Sequence, residues 1–383
     1  MTGKAKITHE QLREELEAGK TKAQIAKEYG MGERAVFSRI ARLKASGYDP
    51  ENGRKHKNPE EQLASGYSTL VRRKDKSDES EGVVLEWIKT SVDKGKQYEA
   101  IVQHVENLTA DIPSRPPIKE YRHGASDLAN QMTFTDYHIA GYAWEAEGGA
   151  DWNMEIATDM GKRATIDMLS RCPEAETLII NQLGDWAHFD SLLNVTPTSG
   201  HIVASHGSPE QMINICIDLL DFMITEGLRT HKFVKVIIAQ GNHDLFSSII
   251  IRRAFTRLYR DEPRVEIINN EVPFYAIKFG RNLLGYHHGH KVKFDQLPAL
   301  FANEFRHMMG DTDRTLIHMG HYHHKHIKEI GKTTVEMHRT LSARDSHASY
   351  GGYHSDRATD LITYHKQYGE VGRISVTPAM LGM

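Results

Sequence analysis

The fold of this chain is decided by the stretch Phe233-Val-Lys-Val-Ile-Ile-Ala239, which is followed after Gln240 by Gly241-Asn-His-Asp244. The first seven residues are mostly apolar and β-branched, so they predict a buried strand. Glycine and asparagine favour turns, so the last four residues predict a tight turn that presents an amide, an imidazole and a carboxylate together. Because ligands and catalytic groups collect at the carboxyl ends of strands in α/β sheets, the stretch predicts a functional site there.

Four other short motifs carry matching chemistry, and each follows a predicted strand. They are Asp136-Tyr-His138, Gly184-Asp185, His288-Gly289 and Gly320-His-Tyr-His323. The strands predicted before them span residues 132–135, 177–181, 282–286 and 315–319. Helices are predicted over 152–171 and after the capping box Ser208-Pro-Glu-Gln211. The chain between successive motifs is long enough for a strand–helix–strand connection, so the order predicts five loops at one edge of an α/β fold.

The five motifs offer seven nitrogen or oxygen ligands and no sulfur. These ligands are Asp136, His138, Asp185, Asn242, His288, His321 and His323. Such a set suits a pair of divalent cations, for which Mn²⁺, Fe²⁺ and Zn²⁺ are the candidates. Two cations roughly 3.5–4 Å apart activate a bridging water and hold the oxygens of a phosphoryl displacement. His287 and His290 flank His288, and the sequence leaves open an exchange of roles among these three histidines.

The order DxH, GD, GNHD, HG, GHxH resembles that of the calcineurin-like metallophosphoesterases, over about residues 120–376. The resemblance implies a four-layer α/β (α+β) sandwich of two mixed sheets flanked by helices. It implies that one cation, with Mn²⁺ favoured, is held by Asp136, His138 and His323. The other would be held by Asn242, His288 and His321, and Asp185 would bridge both. His243 would be the general acid or a transition-state donor, oriented by Asp244, because an imidazole can protonate a leaving alkoxide near neutral pH.

One motif departs from the common phosphatase pattern GDxxD. Here the chain reads Gly184-Asp-Trp-Ala-His188, which resembles the branch of double-strand-break-repair nucleases. In that branch the histidine assists at the phosphodiester, so His188 is predicted to be catalytic. The alternative is a loop histidine that donates a hydrogen bond to a ligand residue.

The front of the chain predicts a small all-α domain over residues 1–48. Capping boxes at Thr8 and Thr21 begin two helices, and a turn at Gly30-Met-Gly32 precedes a third, which is the order of a helix-turn-helix. Predicted DNA contacts are the residues of the third helix outside its apolar stripe, namely Arg34, Ser38, Arg39 and Arg42. Residues 1–74 carry sixteen Lys and Arg against ten Asp and Glu, which favours an anionic partner. The alternative is a three-helix bundle used for protein contact.

Residues 49–118 are interpreted as a linker (49–62) and a connecting module, with a β-hairpin from 67–72 and 83–89 and a helix over 94–108. The phosphoesterase domain is predicted over 119–383. The whole arrangement resembles phage and prophage proteins that join an N-terminal helix-turn-helix to a metallophosphoesterase domain.

These features predict a two-metal phosphodiesterase that acts on nucleic acid, either a DNase or an exonuclease-like enzyme. The alternatives are a small-molecule phosphatase or cyclic-nucleotide phosphodiesterase, and a DNA-binding regulator with an inert phosphoesterase domain. A net charge of −3 and the lack of any apolar run near ~18 residues predict no membrane partner. No apolar signal core is present, and the two cysteines fit no metal pattern, so a cytoplasm is expected, that of a bacterial host for a phage protein. The family resemblance also suggests a homodimer.

Overall fold

The computed structural model describes residues 7–18, 20–45, 67–74, 83–90, 99, 102–103, 105–107, 109–110, 112–118, 124–197 and 200–383. The chain divides into two compact units, Met1–Gln97 and Tyr98–Met383. The predicted linker 49–62 and much of the predicted helix 94–108 lie outside the described residues. The predicted domain boundaries at 48 and 118 therefore stay predictions.

Among its described residues, the first unit contains three helices and a hairpin. The helices are α1 (His9–Glu17), α2 (Lys22–Glu28) and α3 (Glu33–Ala45). The hydroxyls of Thr8 and Thr21 cap α1 and α2 in the predicted capping boxes. Leu12, Ile25 and Val36 are buried together between the helices. The predicted hairpin is confirmed by the antiparallel strands β1 (Tyr67–Lys74) and β2 (Val83–Thr90).

The larger sheet of the second unit has six strands. In spatial order they are β13 (Gly369–Val376), β12 (Thr359–His365), β3 (Ala125–Phe134), β4 (Ala175–Gln182), β5 (Phe233–Ile238) and β6 (Val265–Ile268). The strands from β3 to β6 run parallel, whereas β12 pairs antiparallel with β3 and with β13. The sheet is therefore mixed, and the carboxyl ends of β3, β4 and β5 lie side by side.

The smaller sheet has five strands. In spatial order they are β10 (His326–Ile330), β11 (Thr333–Met337), β9 (Arg314–Met319), β8 (Asn282–Tyr286) and β7 (Tyr275–Phe279). Strands β8, β9 and β11 are parallel, while β7 and β10 are antiparallel to their neighbours. The carboxyl ends of β8 and β9 are therefore adjacent as well.

The helices described in the second unit are α4 (Glu145–Gly148), α5 (Met154–Arg171), α6 (Pro209–Thr230), α7 (Ser247–Leu258), α8 (Leu297–Glu304), α9 (Arg306–Gly310) and α10 (Ser346–Tyr350). Helices α5 and α6 pack on the larger sheet in the largest apolar core. The side chains of Ile179, Tyr286 and Tyr364 pack between the two sheets, and Phe301 of α8 packs on the smaller sheet.

The predicted fold class is confirmed, because the second unit has two mixed sheets flanked by helices. The core between the sheets brings the ends of β3, β4 and β5 to the ends of β8 and β9. All five predicted motifs follow these strand ends. Within the described part of the chain, no helix is both long and apolar enough to cross a lipid bilayer.

Candidate metal centre

The structure brings the predicted ligands together in two neighbouring clusters. The first cluster is Asp136, His138 and His323, and the second cluster is Asp185, His288 and His321. Within each cluster the potential ligand atoms all lie within 4.8 Å of one another. The seventh predicted ligand, Asn242, places its Oδ1 3.2 Å from Nε2 of His288. The clusters adjoin, since Nε2 of His288 lies 3.8 Å from Oδ1 of Asp136.

Backbone strain is concentrated at these residues. Seven non-glycine residues of the described chain have a positive φ, and five of them are predicted ligands. These five are Asp136 (50°), His138 (48°), Asp185 (52°), His321 (74°) and His323 (56°). Non-glycine residues adopt this left-handed region at a cost, and such strain persists where surrounding contacts fix the conformation. The strain therefore marks the loops as a constrained functional site.

Two motif glycines let the loops approach one another. A Cβ on Gly241 would lie 2.0 Å from Oδ1 of Asp185. A Cβ on Gly320 would lie 1.9 Å from Oγ1 of Thr135 and 2.6 Å from Oδ2 of Asp136. No side chain fits at these two positions, so glycine is required for the carboxylates to reach the centre.

In the first cluster, a carboxylate faces two imidazoles. Oδ1 of Asp136 lies 3.3 Å from Nε2 of His323, which is 3.4 Å from Nε2 of His138. Burial would raise the pKa of Asp136, but His323 and His288 hold it well below its usual range. Burial, followed by the neighbouring His243, lowers the pKa of His138. The cluster thus presents an ionised carboxylate and a neutral imidazole, which is the form that binds cations.

In the second cluster, a main-chain carbonyl fixes the orientation of the His288 ring. Its Nδ1 donates to the carbonyl of Leu183 at 2.9 Å, which leaves Nε2 facing Oδ2 of Asp185 at 3.2 Å and the amide oxygen of Asn242. This is the arrangement by which proteins orient metal-binding histidines. Burial would lower the pKa of His288, but the carboxylates of Asp185 and Asp136 raise it to about 10. The surroundings of Nε2 therefore favour positive charge, and the donor set fits a divalent cation.

His188 lies behind the first cluster. Its Nε2 donates to the carbonyl of Ala204 at 3.0 Å, so its Nδ1 can accept from Nδ1 of His138 at 3.2 Å. This relay leaves Nε2 of His138 unprotonated towards the cluster. Burial, followed by His243, lowers the pKa of His188 to about 4, which keeps the ring neutral. Because both ring nitrogens are engaged, the geometry favours the alternative, a residue that orients a ligand, and the catalytic role of His188 stays a prediction.

His243 lies beside the first cluster, with its ring centroid 4.6 Å from that of His138. Its Nδ1 donates to the carbonyl of His188 at 2.7 Å, and its main-chain N–H donates to Oδ1 of Asp185 at 2.8 Å. The ring is therefore positioned by a main-chain carbonyl at Nδ1.

The predicted contact between Asp244 and the ring of His243 is corrected by the structure. The buried carboxylate of Asp244 accepts hydrogen bonds from the main-chain N–H groups of Trp186 at 2.7 Å and Gly241 at 2.8 Å. The tight turn directs this carboxylate inward, onto the loop that carries Asp185. Asp244 therefore positions His243 indirectly, through the loop that ends at the carbonyl of His188. Burial and Asp185 raise the pKa of Asp244 to about 7.

Sequence reasoning missed two supports of the centre. Asp190 accepts hydrogen bonds from the main-chain N–H groups of Phe246 and Ser247, which ties the loop after β4 to the start of α7. The sequence feature that could have pointed to Asp190 is its position two residues after His188. The hydroxyls of Thr340 and Ser342 donate to the carbonyl of Asp136 at 2.7 and 2.8 Å. No motif marks these two residues, because they follow β11, far from Asp136 in sequence.

In the first unit, the structure separates the predicted DNA contacts. Arg34 and Ser38 are exposed on α3. The guanidinium of Arg39 instead donates to the carbonyl of Ile7, so this side chain secures the segment before α1. That contact favours a structural role for Arg39, and its predicted DNA contact stays a prediction. The side chain of Arg42 lies outside the described part of the structure.

Comparison with known proteins gives fold-level likenesses only. No protein-family model matches the sequence, and no curated protein matches it. Zinc-bound Vps29 from Entamoeba histolytica is 14% identical, covers 64% of this chain and 98% of its own, and has a TM-score of 0.29. An archaeal phosphodiesterase is 13% identical, with 64% and 99% covered and a TM-score of 0.31. A dimetal phosphatase from Danio rerio is 8% identical, with 65% and 98% covered and a TM-score of 0.35. At such identities and TM-scores, none of these likenesses assigns an activity to this chain.

Proposed function

We propose that the chain is a phosphodiesterase of the calcineurin-like metallophosphoesterase type, that it uses two divalent cations, and that its substrate is nucleic acid. The observation that carries the proposal is the pair of adjoining clusters, in which carboxylates and imidazoles from four separate loops converge and a fifth loop adds the amide of Asn242. A cluster built at the cost of five strained backbone positions is unusual for a purely structural core.

Asp136, His138 and His323 would hold one cation, and His288, His321 and Asn242 the other, with Asp185 between them. Mn²⁺ is our first candidate, with Fe²⁺ and Zn²⁺ as the alternatives, because imidazole nitrogens and oxygens without sulfur suit all three cations. The two cations would supply charge that stabilises the phosphoryl oxygens and activates water.

The residues of the chain supply the remaining chemistry. His243 is held at Nδ1 by the carbonyl of His188, so its Nε2 would donate a proton to the leaving oxygen of the substrate. His188 and Asp244 would act as positioning residues, through the contacts that they make to His138 and to the loop of Asp185.

A nucleic-acid substrate is supported by the basic first unit and by the sequence Gly184-Asp-Trp-Ala-His188. The exposed Arg34 and Ser38 share one face of α3 and could meet phosphates and base edges there. A positively charged side chain such as that of Arg34, on an exposed helix face near DNA, contributes mainly sequence-independent binding affinity.

The direct test is a hydrolysis panel on the full chain loaded with Mn²⁺. Linear, nicked and single-stranded DNA would be compared with bis-p-nitrophenyl phosphate and cyclic nucleotides, and Asp185→Asn serves as the inactive control. We expect cleavage of at least one DNA form. Turnover of the small diesters alone would redirect the proposal to a small-molecule phosphodiesterase. DNA binding by a protein that takes up no metal would instead indicate a regulator.

The DNA contact is tested by Arg34→Ala, with Arg39→Ala as its matched control. Arg34→Ala should weaken DNA binding and make its salt dependence shallower, while small-diester hydrolysis stays unchanged. Arg39→Ala should lower the unfolding temperature instead, because it removes the hydrogen bond to Ile7. Equal DNA affinity for Arg34→Ala and the native protein would contradict this role of α3.

A further inference from the structure

His290 is a buried histidine next to the second cluster. It is 6% exposed, and its Nδ1 is buried without a hydrogen-bond partner in the described structure. Its ring centroid lies 5.5 Å from that of His288 and 6.5 Å from that of His321. A buried polar atom without a partner is unfavourable in a folded chain, so such an atom beside a functional site calls for a ligand.

The loop that carries His290 uses the neighbouring histidine differently. Nδ1 of His287 accepts a hydrogen bond from the N–H of Gly289 at 2.9 Å, and its ring stacks on Phe274 at 4.6 Å. Gly289 has a φ of 112°, and a Cβ there would lie 2.7 Å from Cε of Met319. His287 therefore stabilises the conformation of the loop. The ring of His290 stacks on that of His287, with 5.9 Å between the ring centroids, and its Nδ1 has no hydrogen-bond partner in the described structure.

The same geometry bears on the choice among His287, His288 and His290. His288 belongs to the second cluster with Asp185 and His321, and His290 belongs to neither cluster. A role as an exchanged metal ligand is therefore disfavoured for His290.

We infer that His290 is a substrate-binding residue, whose Nδ1–H donates a hydrogen bond to a phosphoryl oxygen of a phosphoester at the second cluster. This inference rests on the proposed function, because the anion would be drawn there by the cation that His288 and His321 hold. A phosphoryl oxygen would pair the buried Nδ1 with an acceptor that the chain itself does not provide. Hydrogen bonds to charged oxygens are among the stronger ones in proteins.

The test compares His290→Asn with His290→Leu in the full chain loaded with Mn²⁺. The two side chains have nearly the same shape, but only asparagine offers an N–H near the position of Nδ1. Titration calorimetry with inorganic phosphate should show binding weakened about tenfold or more in His290→Leu and by no more than about threefold in His290→Asn. Elemental analysis should show native metal content in both variants.

Unfolding temperatures separate this role from a structural one. His290→Leu should be at least as stable as the native protein without metal, because it removes an unpaired buried polar atom. The control is His231→Leu, since His231 is 1% exposed and its Nε2 lies 3.0 Å from Nδ2 of Asn130. That variant should unfold at a lower temperature and keep its phosphate affinity.

Each outcome has one meaning. Equal phosphate affinity in His290→Leu and His290→Asn overturns the inference, and so does loss of metal from both variants, which would make His290 a ligand. If the native chain takes up Mn²⁺ and binds phosphate, and His290→Leu binds phosphate equally well, only the role of His290 is contradicted. If the native chain takes up neither Mn²⁺ nor phosphate, the proposed function is contradicted as well.

Discussion

The two clusters contain similar ligands in different surroundings. In the second cluster the side chains of His288 and Asp185 are 0% and 2% exposed, and a main-chain carbonyl orients His288. In the first cluster the side chain of His323 is 40% exposed, and His138 is oriented by another imidazole, that of His188. His288 and Asp185 therefore form the buried part of the centre. His323 reaches solvent on the side where His243 lies, so under the proposed function the substrate would meet its proton donor there.

Asp185→Asn should have the largest effect, because Asp185 belongs to the second cluster and, under the proposed function, would also bridge to the first. Its Oδ2 faces His288, its Oδ1 fixes the main chain of His243, and its charge acts on both clusters. Hydrolysis should fall to background, by roughly 10³-fold or more, and metal content should fall in both clusters. Kinetics with bis-p-nitrophenyl phosphate and elemental analysis measure the two effects. Asp159→Asn on the exposed face of α5 is the control, and full metal content in Asp185→Asn would show that the clusters are independent.

His243→Asn should separate chemistry from metal binding. The ring lies beside the first cluster but belongs to neither proposed ligand set, so metal content should stay native. The turnover number should fall about 100-fold or more, which is the usual contribution of a general acid. His347→Asn, an exposed histidine of α10, should have native kinetics. Metal loss in the His243 variant, or unchanged turnover, would remove the functional asymmetry between the clusters.

His188→Leu should weaken the first cluster selectively. Without the imidazole behind it, His138 loses the acceptor that fixes its orientation, and such supports typically contribute about 10–100-fold in metal affinity. His188→Asn is the matched control, since its side-chain oxygen can accept from Nδ1 of His138. Competition with a chelator should show one weakened and one native site in the leucine variant. Equal weakening of both sites would mean that the relay supports the whole centre.

Local patterns in the sequence predicted the strands and the loops that carry the ligands. Each predicted ligand follows a strand within a few residues, so hydrophobic patterning, turn residues and capping boxes were enough to place the loops at one edge of the fold. Orientation within the loops was not predictable, because the partners lie far apart in sequence. His188 bonds the carbonyl of Ala204, and Arg39 bonds that of Ile7. Asp244 contacts main-chain amides where the motif suggested a contact to an imidazole.

The smallest predicted effect concerns the strained backbone of Asp136 in the first cluster. Thr340 and Ser342 both donate to its carbonyl, so Thr340→Val or Ser342→Ala alone leaves that carbonyl one partner. Each single variant should lose about 1 kcal/mol of unfolding free energy, measured by urea denaturation. The double variant leaves the carbonyl without these partners and should lose about 1 kcal/mol more than the sum, because neighbouring contacts are not additive.

Thr158→Val, which removes a helix hydroxyl bonded to the carbonyl of Met154, controls for the loss of a hydroxyl group. Metal affinity should fall a few-fold at the first cluster and stay native at the second, and strict additivity would show that the two hydroxyls do not jointly hold Asp136.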